Sequence, residues 1–227
     1  MALGVTLQIT TGCEGRLSIL HPAGPAAQTI ADIWWIMLGS GAAIFAVVMV
    51  VLMLALRRAG DQPAGDPPEG EQRSTRVWMW GFGLAFPMIT LAALTGYGLI
   101  MGDRLLARAA PDLVTVAAEA RQWAWTFRYD DVPNFATEGV LHIPAGQPVD
   151  VEITSIDVIH SFWVPRLAGK LDAIPGHVNV LRIEAAAPGT YAGQSAEFSG
   201  AGYREHVFSV QAHDAASWET FLREGTP

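Results

Sequence analysis

Residues 33–56 read IWWIMLGSGAAIFAVVMVVLMLAL, and no charged side chain occurs between Asp32 and Arg57. A second uncharged run extends from Val77 to Gly102. Each run exceeds the roughly 20 residues a helix needs to cross a ~30 Å hydrocarbon core. One such run could be the buried helix of a large soluble protein, but two in a chain of 227 residues argue against that reading. The Trp34/Trp35 and Trp78/Trp80 pairs at the run ends suit membrane–water interfaces. Pro87 lies inside the second run, a position membrane helices tolerate when neighbours satisfy the freed backbone groups. The sequence therefore predicts a transmembrane hairpin within 29–102, with spans at about 33–56 and 77–101.

Composition supports this reading. The chain is 51% hydrophobic and only 16% charged, against about a quarter charged in soluble domains. Its mean hydropathy is +0.27, which argues against an ordinary cytosolic enzyme. The net charge of −8 argues against nucleic acid as a partner, since phosphate contacts need a surplus of Lys and Arg. Cys13 is the sole cysteine. That excludes an internal disulfide and any site built on two thiolates from this chain.

The 57–76 loop carries Arg57, Arg58, Arg73 and Arg76. Its acids, Asp61, Asp66, Glu69 and Glu71, count little in orientation, so the loop is expected in the cytoplasm and both termini outside it. Residues 60–70 are rich in Pro and Gly and read as a flexible connector. Residues 1–28 are expected to form an extracytoplasmic tail. Its start has no basic n-region, so it makes a poor signal peptide. Thr11-Gly12-Cys13 resembles a bacterial lipobox, which leaves Cys13 either lipidated or an unmodified thiol in a mobile tail.

Residues 103–227 carry 9 basic and 16 acidic side chains, −7 of the net charge. Here the apolar residues alternate as in strands: Trp123, Trp125, Phe127 and Tyr129; Val149, Val151 and Ile153; Val178 and Val180; Phe208 and Val210. Turn signals recur at Pro144-Ala-Gly146, Pro175-Gly176, Pro188-Gly189 and Gly200-Ala-Gly202. This pattern predicts an all-β Greek-key sandwich or barrel. A short terminal helix should follow, capped by Asp214 and apolar along Trp218, Phe221 and Leu222.

Four stretches stand out by their spacing. They are Gln122-Trp123-Ala-Trp125, Asp157-Val-Ile-His160-Ser-Phe-Trp-Val-Pro165, Gly169-Lys170-Leu-Asp172-Ala-Ile-Pro175-Gly176 and Gly189-Thr-Tyr-Ala-Gly193-Gln194. Together they resemble subunit II of the haem–copper respiratory oxidases, from about Pro22 to the end of the chain. The resemblance implies a cupredoxin-like domain outside the bacterial plasma membrane. It also implies partners: subunit I, bearing haems and a copper, and subunit III.

In cytochrome c oxidases this domain holds a dinuclear copper bound by two cysteine thiolates, two histidines, a methionine and a backbone carbonyl. The family pattern is a histidine, then Cys-x-Glu-x-Cys-x-x-x-His-x-x-Met. Here His160 stands at the first histidine, Ser195 and Ser199 at the cysteines, and Glu197 at the glutamate. Tyr203 stands at the second histidine and His206 at the methionine. Soft thiolates are what let two coppers share charge, and a serine hydroxyl is a hard, neutral donor. The expectation is that no dinuclear copper is bound. His160 and His206 could instead hold one weakly bound Cu(II) or Zn(II), or be hydrogen-bonded in a collapsed pocket, the reading taken here. His21, His142, His177 and His213 show no ligand spacing and read as ordinary polar positions.

Within the family, loss of these ligands resembles the quinol oxidases, in which a membrane quinol bound on subunit I supplies the electrons. The chain is thus expected to be a structural and assembly subunit, not catalytic alone, of a proton-pumping quinol:oxygen oxidoreductase. Cytochrome c is the less favoured donor. The alternatives are a cytochrome c oxidase or nitric oxide reductase variant with another electron route, or a membrane-anchored copper-binding assembly protein. Trp123 matches the aromatic residue through which cytochrome c electrons enter, but reads here as packing. Glu197 resembles a ligand of a Mg or Mn ion shared with subunit I. Its alternative is an ion pair with Arg204 or Lys170. Asp172 is expected at the same interface, and Asp157 is expected to brace the strand carrying His160. The proton-uptake glutamate of many relatives has no counterpart in Thr75–Trp80, and Glu71 is assigned no proton role.

Overall fold

The structure, a computed structural model, describes residues 15–59, 75–107, 113–130, 132 and 135–224. Cys13, the 60–70 connector and Arg73 lie outside the described residues. The chain divides into two compact units, Ile33–Arg104 and a second formed by Met1–Asp32 with Leu105–Pro227.

The first unit is the expected pair of long apolar helices. Helix α1 spans Pro25–Ala59, so residues 25–28, read as tail, are already helical. Pro25 opens it, where a missing N–H leaves nothing unsatisfied. The second span runs Val77–Asp103. Its first part, Val77–Ala85, is π-helical, and Phe86–Asp103 forms α2. The Phe86 N–H still reaches back five residues to the Gly81 carbonyl. Pro87, having no N–H, stands where the ladder changes to the α spacing. Large apolar side chains such as Phe45, Leu56, Trp80 and Ile89 are more than 60% exposed. Surface of this kind suits lipid or a partner rather than water.

The second unit is a sandwich of two five-stranded sheets. The first sheet contains β1 (Val114–Arg121), β2 (Ala124–Tyr129), β3 (Ala136–Glu138), β5 (Val149–Ser155) and β8 (Asn179–Ile183), in the order β3-β2-β1-β5-β8. The other contains β4 (Val140–Pro144), β6 (His160–Trp163), β7 (Lys170–Ala173), β9 (Gly189–Gln194) and β10 (Val207–His213), in the order β4-β10-β9-β6-β7. The β1–β5 and β4–β10 pairs are parallel, so the chain crosses between sheets rather than forming hairpins only. Period-two alternation puts Val149, Val151 and Ile153 in the core with Trp125 and Phe127. Trp125 meets Phe162 of the other sheet edge-on at 5.6 Å, and Phe127 lies 5.9 Å from Phe208.

Two assignments of alternating residues are corrected. Trp123 is not a strand residue: Arg121 pairs with Ala124, so Gln122 and Trp123 form the turn between β1 and β2. Val178 precedes β8, and Val180 points outward, both exposed. The reason is register. Val149, Val151 and Ile153 face Ile183, Leu181 and Asn179, so β8 turns its odd-numbered side inward.

The terminal helix α3 spans Ala215–Glu224. As expected, Asp214 caps it, with Oδ1 accepting from the Ser217 N–H at 2.8 Å. Trp218 is buried, and Phe221 stacks on His142 with ring centroids 4.3 Å apart.

The start of α1 belongs to the sandwich unit. Ala27 and Ala31 are each 2% exposed. The Ala23 N–H donates to the Arg166 carbonyl at 2.7 Å, and the Ala23 carbonyl accepts from the Ala186 N–H at 2.8 Å. The Ala27 N–H, unsatisfied within its own first turn, donates to the Leu167 carbonyl. A Cβ at Gly24 would overlap the Glu184 carbonyl oxygen.

Candidate functional site, a buried histidine pair

Three loops at one end of the sandwich build the site. The first is the Gln122-Trp123 turn. The second runs from Ser155 into β6, which begins at His160. The third leaves β9 at Ser195, passes the 3-10 turn Tyr203–Glu205 and enters β10 after His206. Ser195 N–H donates to the His206 carbonyl at 2.9 Å and closes the base of the third loop.

Asp157 ties the first two loops together. Its Oδ2 accepts from the Gln122 N–H at 2.7 Å. Its Oδ1 accepts from the Val158 N–H at 2.6 Å and the Ser155 hydroxyl at 3.1 Å, and lies 2.9 Å from His160 Nε2. Burial pushes the Asp157 carboxyl pKa up, but these donors together hold it well below the usual carboxylate range. An ionised carboxylate only accepts, so His160 carries a proton on Nε2. Asp157 thus braces His160 as the sequence suggests. Gln122 also donates through Nε2 to the Ser199 carbonyl, joining the third loop to the first.

His160 and His206 are both fully buried, with ring centroids 5.0 Å apart and planes nearly perpendicular. Trp125 stacks on His206 from the core side at 5.6 Å. Trp123, 42% exposed, meets the same ring edge-on at 6.3 Å. Trp123 can lie this close to the third loop because Gly200 and Gly202 have φ of 120° and 106° and no side chain beneath the indole. Burial lowers the His206 pKa, and the neighbouring His160 lowers it further. The Ala124 backbone and Asp157 offset this in part. The two histidines meet as expected, but they are not hydrogen-bonded to each other. His160 Nδ1 and Ser199 Oγ are buried without a partner among the described residues, and apart from the approach of the Ala124 backbone neither His206 ring nitrogen meets a partner at full hydrogen-bond geometry.

The two serines differ. Ser195 Oγ accepts from the Ser161 N–H at 3.2 Å, and Ser161 Oγ in turn accepts from the Ala196 N–H at 2.8 Å. Ser195 is therefore committed to holding two chain segments together. Ser199 is buried, and its hydroxyl is unpaired among the described residues. Tyr203 and Glu197 do not join the pocket in these contacts. The Tyr203 ring packs edge-on against exposed Phe198 at 5.3 Å, with the Arg204 guanidinium 6.0 Å above it. Glu197 Oε2 lies 3.2 Å from Lys170 Nζ, which also approaches Asp172 at 3.7 Å. The pairing is thus with Lys170, while Arg204 lies over Tyr203.

These residues do not fit a dinuclear copper. Such a centre needs two bridging soft donors. Here hydroxyls stand in those places, one already used as a hydrogen-bond acceptor, beside two imidazoles only.

A second histidine pair goes unnoticed in the sequence. His142 Nδ1 lies 2.8 Å from His213 Nε2, with the rings stacked at 5.1 Å against Phe221. Burial lowers the His142 pKa to about 4, His213 adding to the effect, and burial also lowers that of His213. The two positions are 71 residues apart and meet only through the parallel β4–β10 pairing.

A family model for the periplasmic domain of cytochrome c oxidase subunit II matches residues 134–212. Cytochrome c oxidase subunit 2 of Thermostichus vulcanus is 31% identical, over 99% of this chain and 84% of that protein. Quinol oxidase subunit 2 of Bacillus cereus is 28% identical, over 94% of this chain and 74% of that protein. The crystal structure of the periplasmic domain of cytochrome oxidase subunit II from Bradyrhizobium japonicum superimposes with a TM-score of 0.50 at 24% identity. It covers 53% of this chain and 96% of that one, and shows the shared cupredoxin-like fold. Two apolar helices, a sandwich of this kind and relatives matched along nearly the whole chain lead to one conclusion: the protein belongs to the haem–copper oxidase subunit II family, as a membrane-anchored subunit of a respiratory terminal oxidase.

Proposed function

We propose that this chain is the subunit II of a quinol-oxidising terminal oxidase and carries no dinuclear copper. The observation that carries the reading is the state of Ser195, whose hydroxyl holds the Ser161 N–H where a bridging thiolate would be needed. Without soft bridging ligands the domain has no low-reorganisation relay to pass electrons inward from a soluble cytochrome. The electrons are then supplied by membrane quinol on subunit I, which bears the haems and a copper, reduces oxygen and pumps protons. This chain contributes structure and assembly, with subunit III as a further partner. The relatives named quinol oxidase support this donor, although relatives named cytochrome c oxidase match as well.

In this reading the arginines at the ends of the two spans lie in the cytoplasm, and both termini and the sandwich lie outside the plasma membrane. Exposed Ile156, Val158, Ile159 and Phe198 rim the site loops and support a face covered by a partner subunit. The Lys170 ammonium already balances Glu197. A shared Mg or Mn ion would have to displace it and take its remaining ligands from subunit I.

Oxygen uptake by the purified complex tests the proposal, with a quinol and reduced cytochrome c as alternative donors. Uptake with quinol alone, and copper analysis matching subunit I only, is the expected result. Sustained uptake with cytochrome c would overturn it. One observation favours that second reading: Trp123 is half-exposed and directly beside His206.

A further inference from the structure

The helical hairpin holds a groove that the quinol oxidase reading does not use. One wall is a single face of α1, formed by Ala43, Ile44, Val47, Val48 and Val51. These positions recur every three or four residues, so they form one stripe along the helix. The other wall is Trp78, Phe82 and Phe86, spaced by four. Trp78 and Phe82 stack with centroids 4.9 Å apart across the π-helical stretch. The groove encloses about 510 Å³ and has an almost wholly apolar lining.

It does not end in apolar surface. Val51 and Trp78 also border an adjoining space of about 390 Å³, lined further by Leu54, Ala55 and Arg58. The α1 stripe therefore continues through Leu54 and Ala55 to a guanidinium. From Ala43 to Ala55 the helix rises about 18 Å at 1.5 Å per residue, close to the ~15 Å of hydrocarbon in one leaflet. Arg57 stands beside Arg58, and Arg76 opens the second span. Among the described residues Arg58 makes no ion pair. Trp78, at the junction of the two spaces, is of the type that settles at the headgroup level.

We propose that this groove binds an anionic phospholipid, with an acyl chain between Val47/Val48 and Phe82/Phe86 and the phosphate on Arg58. The match is one of two parts. A slot one leaflet deep takes a chain, and a single cation at its mouth takes a negative headgroup. Basic pockets between transmembrane helices select anionic lipids on this basis, and the guanidinium fork suits phosphate oxygens. A transmembrane helix of a partner subunit would fill the slot but would have no need of Arg58.

The test places a photo-crosslinking p-benzoylphenylalanine at Val48 in the full-length chain, assembled in its complex. The complex is reconstituted in vesicles of equal parts phosphatidylglycerol and phosphatidylcholine. After irradiation, the adduct mass on this chain identifies the neighbour. The expected result is a phospholipid adduct enriched in phosphatidylglycerol. Arg58→Gln should lower that enrichment about fivefold, the worth of one basic side chain near a membrane surface, and Arg58→Lys should restore most of it. A polypeptide adduct would overturn the proposal in favour of a partner helix. Phosphatidylglycerol and phosphatidylcholine adducts in equal amounts, unchanged in Arg58→Gln, would overturn it in favour of bulk lipid.

Discussion

Asp157 holds His160 by its Nε2 at 2.9 Å, and the same carboxylate gathers the backbone N–H groups of Gln122 and Val158. The arrangement fixes the imidazole from behind and leaves Nδ1 facing the interior. One side chain thereby joins the Gln122-Trp123 turn to the loop before β6.

Asp157→Ala should therefore destabilise the domain by about 1–3 kcal/mol, the range for losing charge-assisted hydrogen bonds to buried or half-buried donors. Asp157→Asn should fall between wild type and Ala. The depressed carboxyl pKa sets the pH dependence. The contribution is fully present above the unfolded carboxylate pKa near 4 and is lost as the pH falls through the folded value. Thermal unfolding of the full chain in detergent from pH 7 to pH 3 should show a steeper acid loss in wild type than in Asp157→Asn. Equal acid sensitivity would refute the role given to this carboxylate.

Ser195→Ala separates structure from electron transfer. It strips the Ser161 N–H of its acceptor in a fully buried place, which costs about 1–3 kcal/mol. On the function proposed above, quinol-driven turnover of the complex that still assembles should be unchanged per mole. A lower yield with normal specific turnover is the expected signature, and a large fall in specific turnover would speak against a purely structural serine.

The His142–His213 pair should make the docking of α3 sensitive to acid. Both folded pKa values lie below the usual histidine value, so the unfolded chain binds more protons as the pH drops from about 6.5 towards 4. Stability conferred by the neutral pair is present above that window and falls within it. Hydrogen exchange of α3 amides should accelerate between pH 6.5 and 4 more than exchange in β5. His142→Gln should flatten the difference. An α3 exchange profile that tracks β5 at every pH would remove the pair from this role.

Gly193→Ala should be among the most damaging small substitutions. Its Cβ would overlap the Phe208 ring, which packs with Trp125, Phe127 and Phe162 in the middle of the core. Overpacking of this kind costs about 1–3 kcal/mol, read as a lowered midpoint in urea unfolding. An unchanged midpoint would show that Phe208 can move aside freely.

Much of this was legible in the sequence because the signals were local. Two uncharged runs announce two helices, and alternation along Val149–Ile153 announces a buried strand face. Asp214 announces a cap. The failures come where long-range register decides. Val180 alternates with Val178 as a core strand would, yet pairing with β5 turns that side outward. Trp123 continues the alternation of Trp125 and Phe127 but falls in a two-residue turn. The candidate site was legible only through motif spacing, which brings His160 and His206 together correctly. Spacing cannot reveal that Ser195 is engaged by Ser161, that Glu197 leans on Lys170, or that Tyr203 packs on Phe198. Those depend on how three loops separated by dozens of residues settle against one another.

The contacts of Ala23 and Ala27 bear on how the molecule is made. These residues leave the ribosome before most of the first hydrophobic helix and all of the second, yet their hydrogen-bond partners, Arg166, Leu167 and Ala186, are synthesised more than a hundred residues later. The sandwich cannot finish folding during synthesis of its own segment alone. It closes only when the early end of the polypeptide is available to the late end. A secreted fragment starting at Arg104 would leave the Arg166–Ala168 backbone uncovered, and a version grafting residues 21–32 back onto it should recover solubility.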